Sequence, residues 1–173
     1  GLIYVNSSVE SLTLTLTDTV KAPWYKMDQD GTGQWINPID SPAPFGEIES
    51  KTFIYTAAKK NLQAANYSGD VKKFAEDLDI FSGNLNDFYA RDEGISGNLN
   101  RKSTDSSIPN HKHRLVNDVA ISRGGAHSGY PVMWINYNPQ SDKILQDPLD
   151  SWTLWHEVGH NAAELPFAID GAG

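Results

Sequence analysis

Between residues 70 and 93 the apolar side chains Val71, Phe74, Leu78, Phe81, Leu85 and Phe88 recur at steps of three and four. That is the period of a helix with one buried stripe. Lys72, Lys73, Glu76 and Asp77 fill positions between them. A stripe this long needs a broad apolar surface to cover it. The pattern therefore predicts a backing helix that packs Phe74, Leu78, Phe81 and Leu85 against a sheet.

Strand signals lie on both sides of that helix. Residues 1–65 read as strand-rich. "GLIYV" is a short apolar run, and in "SLTLTLTDTV" Leu12, Leu14 and Leu16 alternate with Thr13, Thr15 and Thr17. Alternation with period two is the mark of a half-buried strand. "KMDQDGTGQWINPIDSPAPFG" is rich in Gly, Pro and Asp and reads as a loop. Its Asp28-x-Asp30-Gly31 matches the start of a calcium loop, but Asn37 then stands where the bidentate Glu belongs, so it reads as a turn. "KTFIYTA" is a further strand. "GISGNLNRKSTDSSIPN" reads as a loop. Within residues 111–138, "HRLVNDVAIS" and "YPVMWINYN" read as strands around a Gly-rich "RGGAHSG", and "QSDKILQDP" returns to loop. A last helix is expected over 150–165, with Asp150 or Ser151 as its N-cap and Pro166 beyond its end. Strands, a long helix, strands and a final helix predict an α+β fold with a mixed sheet.

The chain has 173 residues, 39% of them hydrophobic, with five Trp, seven Tyr and six Phe, enough for a sizeable core. Its formal net charge is −8 with no Lys/Arg cluster, which disfavours nucleic acid and anionic membranes as partners. It has no cysteine, so disulfides and thiolate metal sites are excluded. No apolar run reaches membrane-spanning length. "GLIYVNSS" lacks the features of a signal peptide. Both ends read as cuts through a longer protein.

The final helix carries "LWHEVGHNAAELP". His156 and His160 are four residues apart, so a helix sets both imidazoles on one face, one turn apart, where they can share a metal ion. Zinc at such a site supplies Lewis acidity and lowers the pKa of water. Glu157, beside the first histidine, is placed to take the proton of a water attacking a carbonyl. His-Glu-x-x-His is a known metalloprotease signature. Here it also sits on a helix whose Leu154, Val158 and Ala162 form an apolar face.

A catalytic zinc usually has three protein ligands, and the third is open. Gly at 163 and His at 166 would extend one known pattern; the chain has Ala163 and Pro166. Glu164 lies eight residues past His156, about 12 Å along a helix axis, too far to share the ion. Asp170 would have to fold back past Pro166. His111, His113 and His127 each read more simply as ordinary polar residues. Thirteen residues follow His160, too few for a loop and a second ligand-bearing helix.

"WHEVGHNAAELP", "HKHRLVNDVAIS" and "GGAHSGYPVMW", with "APFGEIES" and "FAEDLDIFSGNLNDFY" upstream, resemble the enhancin-like family of mucin-degrading zinc metallopeptidases, in its secreted bacterial, accessory-colonisation-factor-type mucinase branch. The resemblance runs from about Leu2 to Gly173. It implies a gluzincin fold, here the upstream subdomain truncated before the downstream one, and a Zn2+ cofactor. It implies endopeptidase action on O-glycosylated mucin-type proteins, at the cell surface or after secretion. It carries His156 and His160 over as zinc ligands and Glu157 as the base. The family's third ligand, a Glu past the motif helix, has no match, so the 173 residues alone are expected to be inactive. "YPVMWINYN" is the expected edge strand for pairing with substrate, and Tyr130 and Trp134 are candidates to stack on sugars. The competing reading is a carbohydrate- or host-glycoprotein-binding module with a vestigial zinc site, for which the strand-rich first third and the aromatics would serve as well.

Overall fold

The computed structural model describes residues 2–5, 8, 10–64, 70–88, 112–121, 124–135 and 142–162. Seven strands form one mixed sheet among these residues: β1 (Trp24–Met27), β2 (Gly33–Asn37), β3 (Phe45–Glu49), β4 (Phe53–Ala58), β5 (His113–Asn117), β6 (Ala126–His127) and β7 (Val132–Trp134). Their order is β2-β1-β3-β4-β5-β7-β6. The pairs β1–β3, β4–β5 and β5–β7 are parallel; β1–β2, β3–β4 and β6–β7 are antiparallel. The helices are α1 (Lys59–Ala64), α2 (Val71–Phe88), α3 (Lys143–Gln146) and α4 (Trp152–Ala162), with a 3-10 turn at Pro148–Asp150. The α+β architecture expected from the order of periods is present.

One face of the sheet is apolar and holds the core. Met27, Ile48, Phe53, Tyr55, Leu115 and Val132 are buried there with Phe74, Leu78, Phe81 and Leu85 of α2 and Leu154, Val158 and Ala162 of α4. Phe81 meets Phe53 edge-on at 5.9 Å and Trp155 at 4.4 Å, so one ring joins sheet, α2 and α4. The stripe of α2 is buried as its spacing predicts, except that Phe88 is exposed. Asp70 caps this helix, accepting from the Lys73 N–H at 2.9 Å. Residues 89–93, where the predicted helix continued, lie outside the described residues.

The other face is a polar ladder. Arg114 pairs with Glu47, which also accepts from Thr56 at 2.7 Å, and Lys112 pairs with Glu49 at 2.6 Å. Tyr4 lies under the Arg114 guanidinium and donates to Glu47 at 2.6 Å. Burial, then the Glu47 carboxylate, push the Tyr4 phenol up to about 12.

Three sequence expectations change. The alternating segment at residues 11–17 is not a strand: Leu12, Leu14 and Leu16 are all exposed. Alternation stabilises a strand only when a surface covers one face, and nothing among the described residues covers this one. The segment read as a loop from Lys26 to Gly46 contains all of β2 and the start of β3. Two of its glycines are close-packing positions: a Cβ on Gly33 would stand 1.9 Å from the Tyr25 hydroxyl, and one on Gly46 would stand 2.3 Å from the Pro23 carbonyl. Asp28–Thr32 is the hairpin turn inside that segment, with Gly31 at φ +83° and Asp30 accepting from Thr32 N–H at 2.8 Å. Finally, "QSDKILQDP" is not all loop. Asp142 caps α3 by accepting from the Ile144 N–H, and Asp147 caps the 3-10 turn that follows.

Candidate metal and active site

Helix α4 starts where its capping residue predicts. Ser151 Oγ accepts from the Leu154 N–H at 3.3 Å, which satisfies one of the donors that a helix start leaves open. The Trp155 indole donates to the Leu149 carbonyl at 2.9 Å and fastens the first turn to the 3-10 turn before it. Leu154, Val158 and Ala162 anchor one face in the core. His156 and His160 therefore point to the opposite side.

There the two imidazoles meet. Their Nε2 atoms are 3.1 Å apart and their ring centroids 4.5 Å apart, nearly perpendicular. With a carboxylate oxygen of Glu157 they form a group of donor atoms all within 4.8 Å of one another. Two nitrogens about 2.05 Å from one tetrahedral ion stand roughly 3.3 Å apart, so the observed pair fits a zinc ion with little movement. Glu157 is 8% exposed, and the exposed Trp152 ring lies 5.5 Å from His156. A cleft of ≈ 400 Å³ opens beside this helix, lined by Gly125, Ala126, Asp142, Trp152, His156 and Glu157 among others.

The other candidates separate from this group. His113 is a core residue, its ring 4.9 Å from Phe53 and its Nε2 without a partner. Burial pushes its pKa down to about 3, so the ring is neutral. His127 sits on β6, its Nδ1 2.9 Å from the Ser128 carbonyl oxygen, outside the converging group. His111, Ala163, Glu164, Pro166 and Asp170 lie outside the described residues.

Trp134, a candidate to stack on sugars, is buried instead of exposed. It is 3% exposed, stacked on Tyr55 at 5.5 Å, and its indole donates to Asp142 at 2.9 Å. A large aromatic on a short strand reads the same whichever way it points; here it points into the core. Tyr130 is 37% exposed, next to the cis Tyr130–Pro131 bond in the β6–β7 connection. The expected edge strand is also displaced. β7 is flanked by β5 and β6, so the open edge beside α4 is β6, inside the stretch read as a Gly-rich connection.

Two residues were missed. Asp142 is a buried carboxylate at the cleft, accepting from Trp134, from the Asn117 amide at 3.1 Å and from the Ile144 N–H at 3.0 Å. Burial raises its pKa and those bonds oppose the rise. An Asp just before "KILQ" was the available signal, a cap ahead of an apolar pair. Asn161, directly after His160, reaches back to the β6–β7 connection at Gly129. Nothing in the spacing of the chain marks it.

Residues 18–173 match the model of the family described as peptidase M60, enhancin and enhancin-like. The chain belongs to this family. Accessory colonization factor AcfD of Vibrio cholerae serotype O1 is 55% identical to it over 173 residues, which is 99% of this chain and 11% of that protein. Human TRPM8 channel-associated factor 2 is 27% identical, over 93% of this chain and 16% of its own length. The chain thus spans about a tenth of the bacterial relative it matches. Among solved structures, the M60 catalytic domain of Clostridium perfringens ZmpC, in complex with the sialyl T antigen, aligns with a TM-score of 0.57 at 14% identity, over 87% of this chain and 30% of that one. At that identity the likeness speaks for the fold, which is that of an M60 catalytic module.

Proposed function

We propose that this chain is part of a zinc-dependent endopeptidase that hydrolyses peptide bonds of O-glycosylated, mucin-type glycoproteins. One observation carries the proposal: His156 and His160 Nε2 converge to 3.1 Å with the Glu157 carboxylate beside them, at a cleft, on a chain of the M60 peptidase family. Zinc held there supplies Lewis acidity and lowers the pKa of water. His156 and His160 would hold the ion through Nε2. Glu157 takes the proton of the attacking water and passes it to the departing amine. Its low exposure keeps competing bulk water away from that carboxylate. Among the described residues the converging group is His156, Glu157 and His160 alone.

The open edge of β6 pairs with extended substrate backbone. Such pairing holds a peptide without reading its side chains, which suits selection by glycans. Tyr130, half-exposed beside β6, is the aromatic placed to meet a sugar. The ZmpC neighbour was solved in complex with the sialyl T antigen, which supports a glycan as part of the substrate. A surface or secreted location draws on the names of the bacterial relatives, a colonization factor and a lipoprotein.

The second reading, a glycoprotein-binding module with a vestigial zinc site, draws on the human relative, which is named for association with a channel. One experiment separates the two. The intact protein is incubated with a mucin-type glycopeptide and with the same peptide stripped of glycan, before and after chelation. The peptidase reading expects cleavage of the glycosylated peptide only, lost on chelation and restored by zinc. Binding without cleavage in zinc-replete protein would leave the binding module standing and remove the peptidase.

A further inference from the structure

The edge that flanks the cleft is weakly built. β6 is two residues long and, among the described residues, pairs only with β7, Ala126 opposite Trp134 and His127 opposite Met133. A two-residue edge strand frays readily on its own. It is nonetheless tied to the motif helix. Asn161 Oδ1 accepts from the Gly129 N–H at 2.9 Å, and Asn161 Nδ2 donates to the Gly129 carbonyl at 2.8 Å. A side-chain amide that meets both the N–H and the C=O of one residue reproduces a rung of antiparallel ladder. It spans 32 residues of sequence, from the position after His160 to the connection between β6 and β7. Gly129 stands at φ +126°, a backbone state that a side chain would strain, so the connection presents both polar groups of that residue to α4.

We propose that Asn161 is a positioning residue. It clamps the β6–β7 connection to the helix that carries His156, Glu157 and His160, and so sets the height of the substrate-pairing edge over the site. The clamp holds three things in one frame: the β6 backbone, the Tyr130 rim and the motif helix. It touches neither ion nor substrate. The proposal rests on the peptidase reading for its kinetic consequence and on the two bonds for its structural one.

The test uses the intact protein with Asn161→Ala and Asn161→Asp. Asn161→Asp keeps the acceptor for the Gly129 N–H but sets an oxygen against the Gly129 carbonyl. Hydrogen exchange at Gly129 should quicken in both variants, and zinc content should stay at the parental level. On a glycopeptide long enough to lie along β6, KM should rise about tenfold for Asn161→Ala with kcat within about threefold, the scale of two hydrogen bonds lost from alignment. A substrate too short to reach β6 should show no change. The same tenfold weakening should appear in the calorimetric affinity of the long glycopeptide in a Glu157→Gln background, where nothing is cut. Unchanged affinity and KM would overturn the clamp. So would a fall in kcat accompanied by loss of zinc, because that assigns Asn161 to the stability of the metal helix. A parent that binds the glycopeptide tenfold better than Asn161→Ala but never cuts it removes the peptidase reading and leaves the clamp in place.

Discussion

Helices α2 and α4 pack into the same core, yet they use their surfaces differently. α2 buries Phe74, Leu78, Phe81 and Leu85 and turns Lys72 and Glu76, an i,i+4 pair, to solvent. Its outer face carries charge. α4 buries Leu154, Val158 and Ala162, with the Glu157 carboxylate, over eleven residues, and its outer face carries two imidazoles beside a cleft. The difference is one of position. α4 runs beside β6, the open edge of the sheet, so the groups opposite its buried stripe face a gap that an extended chain can enter. In the proposed function the chemistry belongs to the helix at the edge, and the longer helix supplies the packing that holds it there.

The sharpest way to break that division is Glu157→Gln in the intact protein. It keeps the shape of α4 and removes the base, so glycoprotein cleavage should fall by about 100- to 10,000-fold while metal content, read by elemental analysis, stays unchanged. Cleavage at the parental rate would remove Glu157 from the chemistry. Phe81→Ala strikes the packing helix instead. Phe81 is fully buried against Phe53 and Trp155, and truncating such a ring costs about 3–5 kcal/mol. A urea titration should show that loss; a change under 1 kcal/mol would mean the three-way ring contact is not where the core is held.

A smaller effect tests the sheet beneath α2. Burial holds the pKa of His113 at about 3, below the ordinary histidine value of 6.5. The unfolded chain takes up a proton near pH 6.5 and the folded one does not until about pH 3, so the stability from this depressed pKa is full above 6.5 and declines as pH falls. Between pH 7 and 5.5 the loss is about 1 kcal/mol. His113→Leu should flatten that part of the stability–pH curve, and a curve of parental slope would show that His113 is not its source. Smallest is Ser151→Ala. Losing the cap of α4 should cost about 0.5–1 kcal/mol, visible as a lowered Tm. An equal Tm would mean that the Trp155–Leu149 bond alone secures the first turn.

Much of this division is legible in the chain. The stripe of α2 and the pairing of His156 with His160 are both read from spacing along one helix, and Ser151 marks where the second helix begins. Local periods fail where a residue's role depends on what lies across from it. Leu12, Leu14 and Leu16 alternate as a strand does, but no surface among the described residues covers them. Gly33 and Gly46 look like loop glycines and are instead strand positions against which Tyr25 and Pro23 crowd.

The helix stripe and the histidine spacing are consequences of 3.6 residues per turn, so a dozen neighbouring residues suffice to specify them. The strand order that puts β6 at the edge, the face on which Trp134 is buried over Asp142, and the reach of Asn161 to Gly129 depend on pairings between segments far apart in the chain. Each is settled by which surfaces exclude water together, and no local period encodes that.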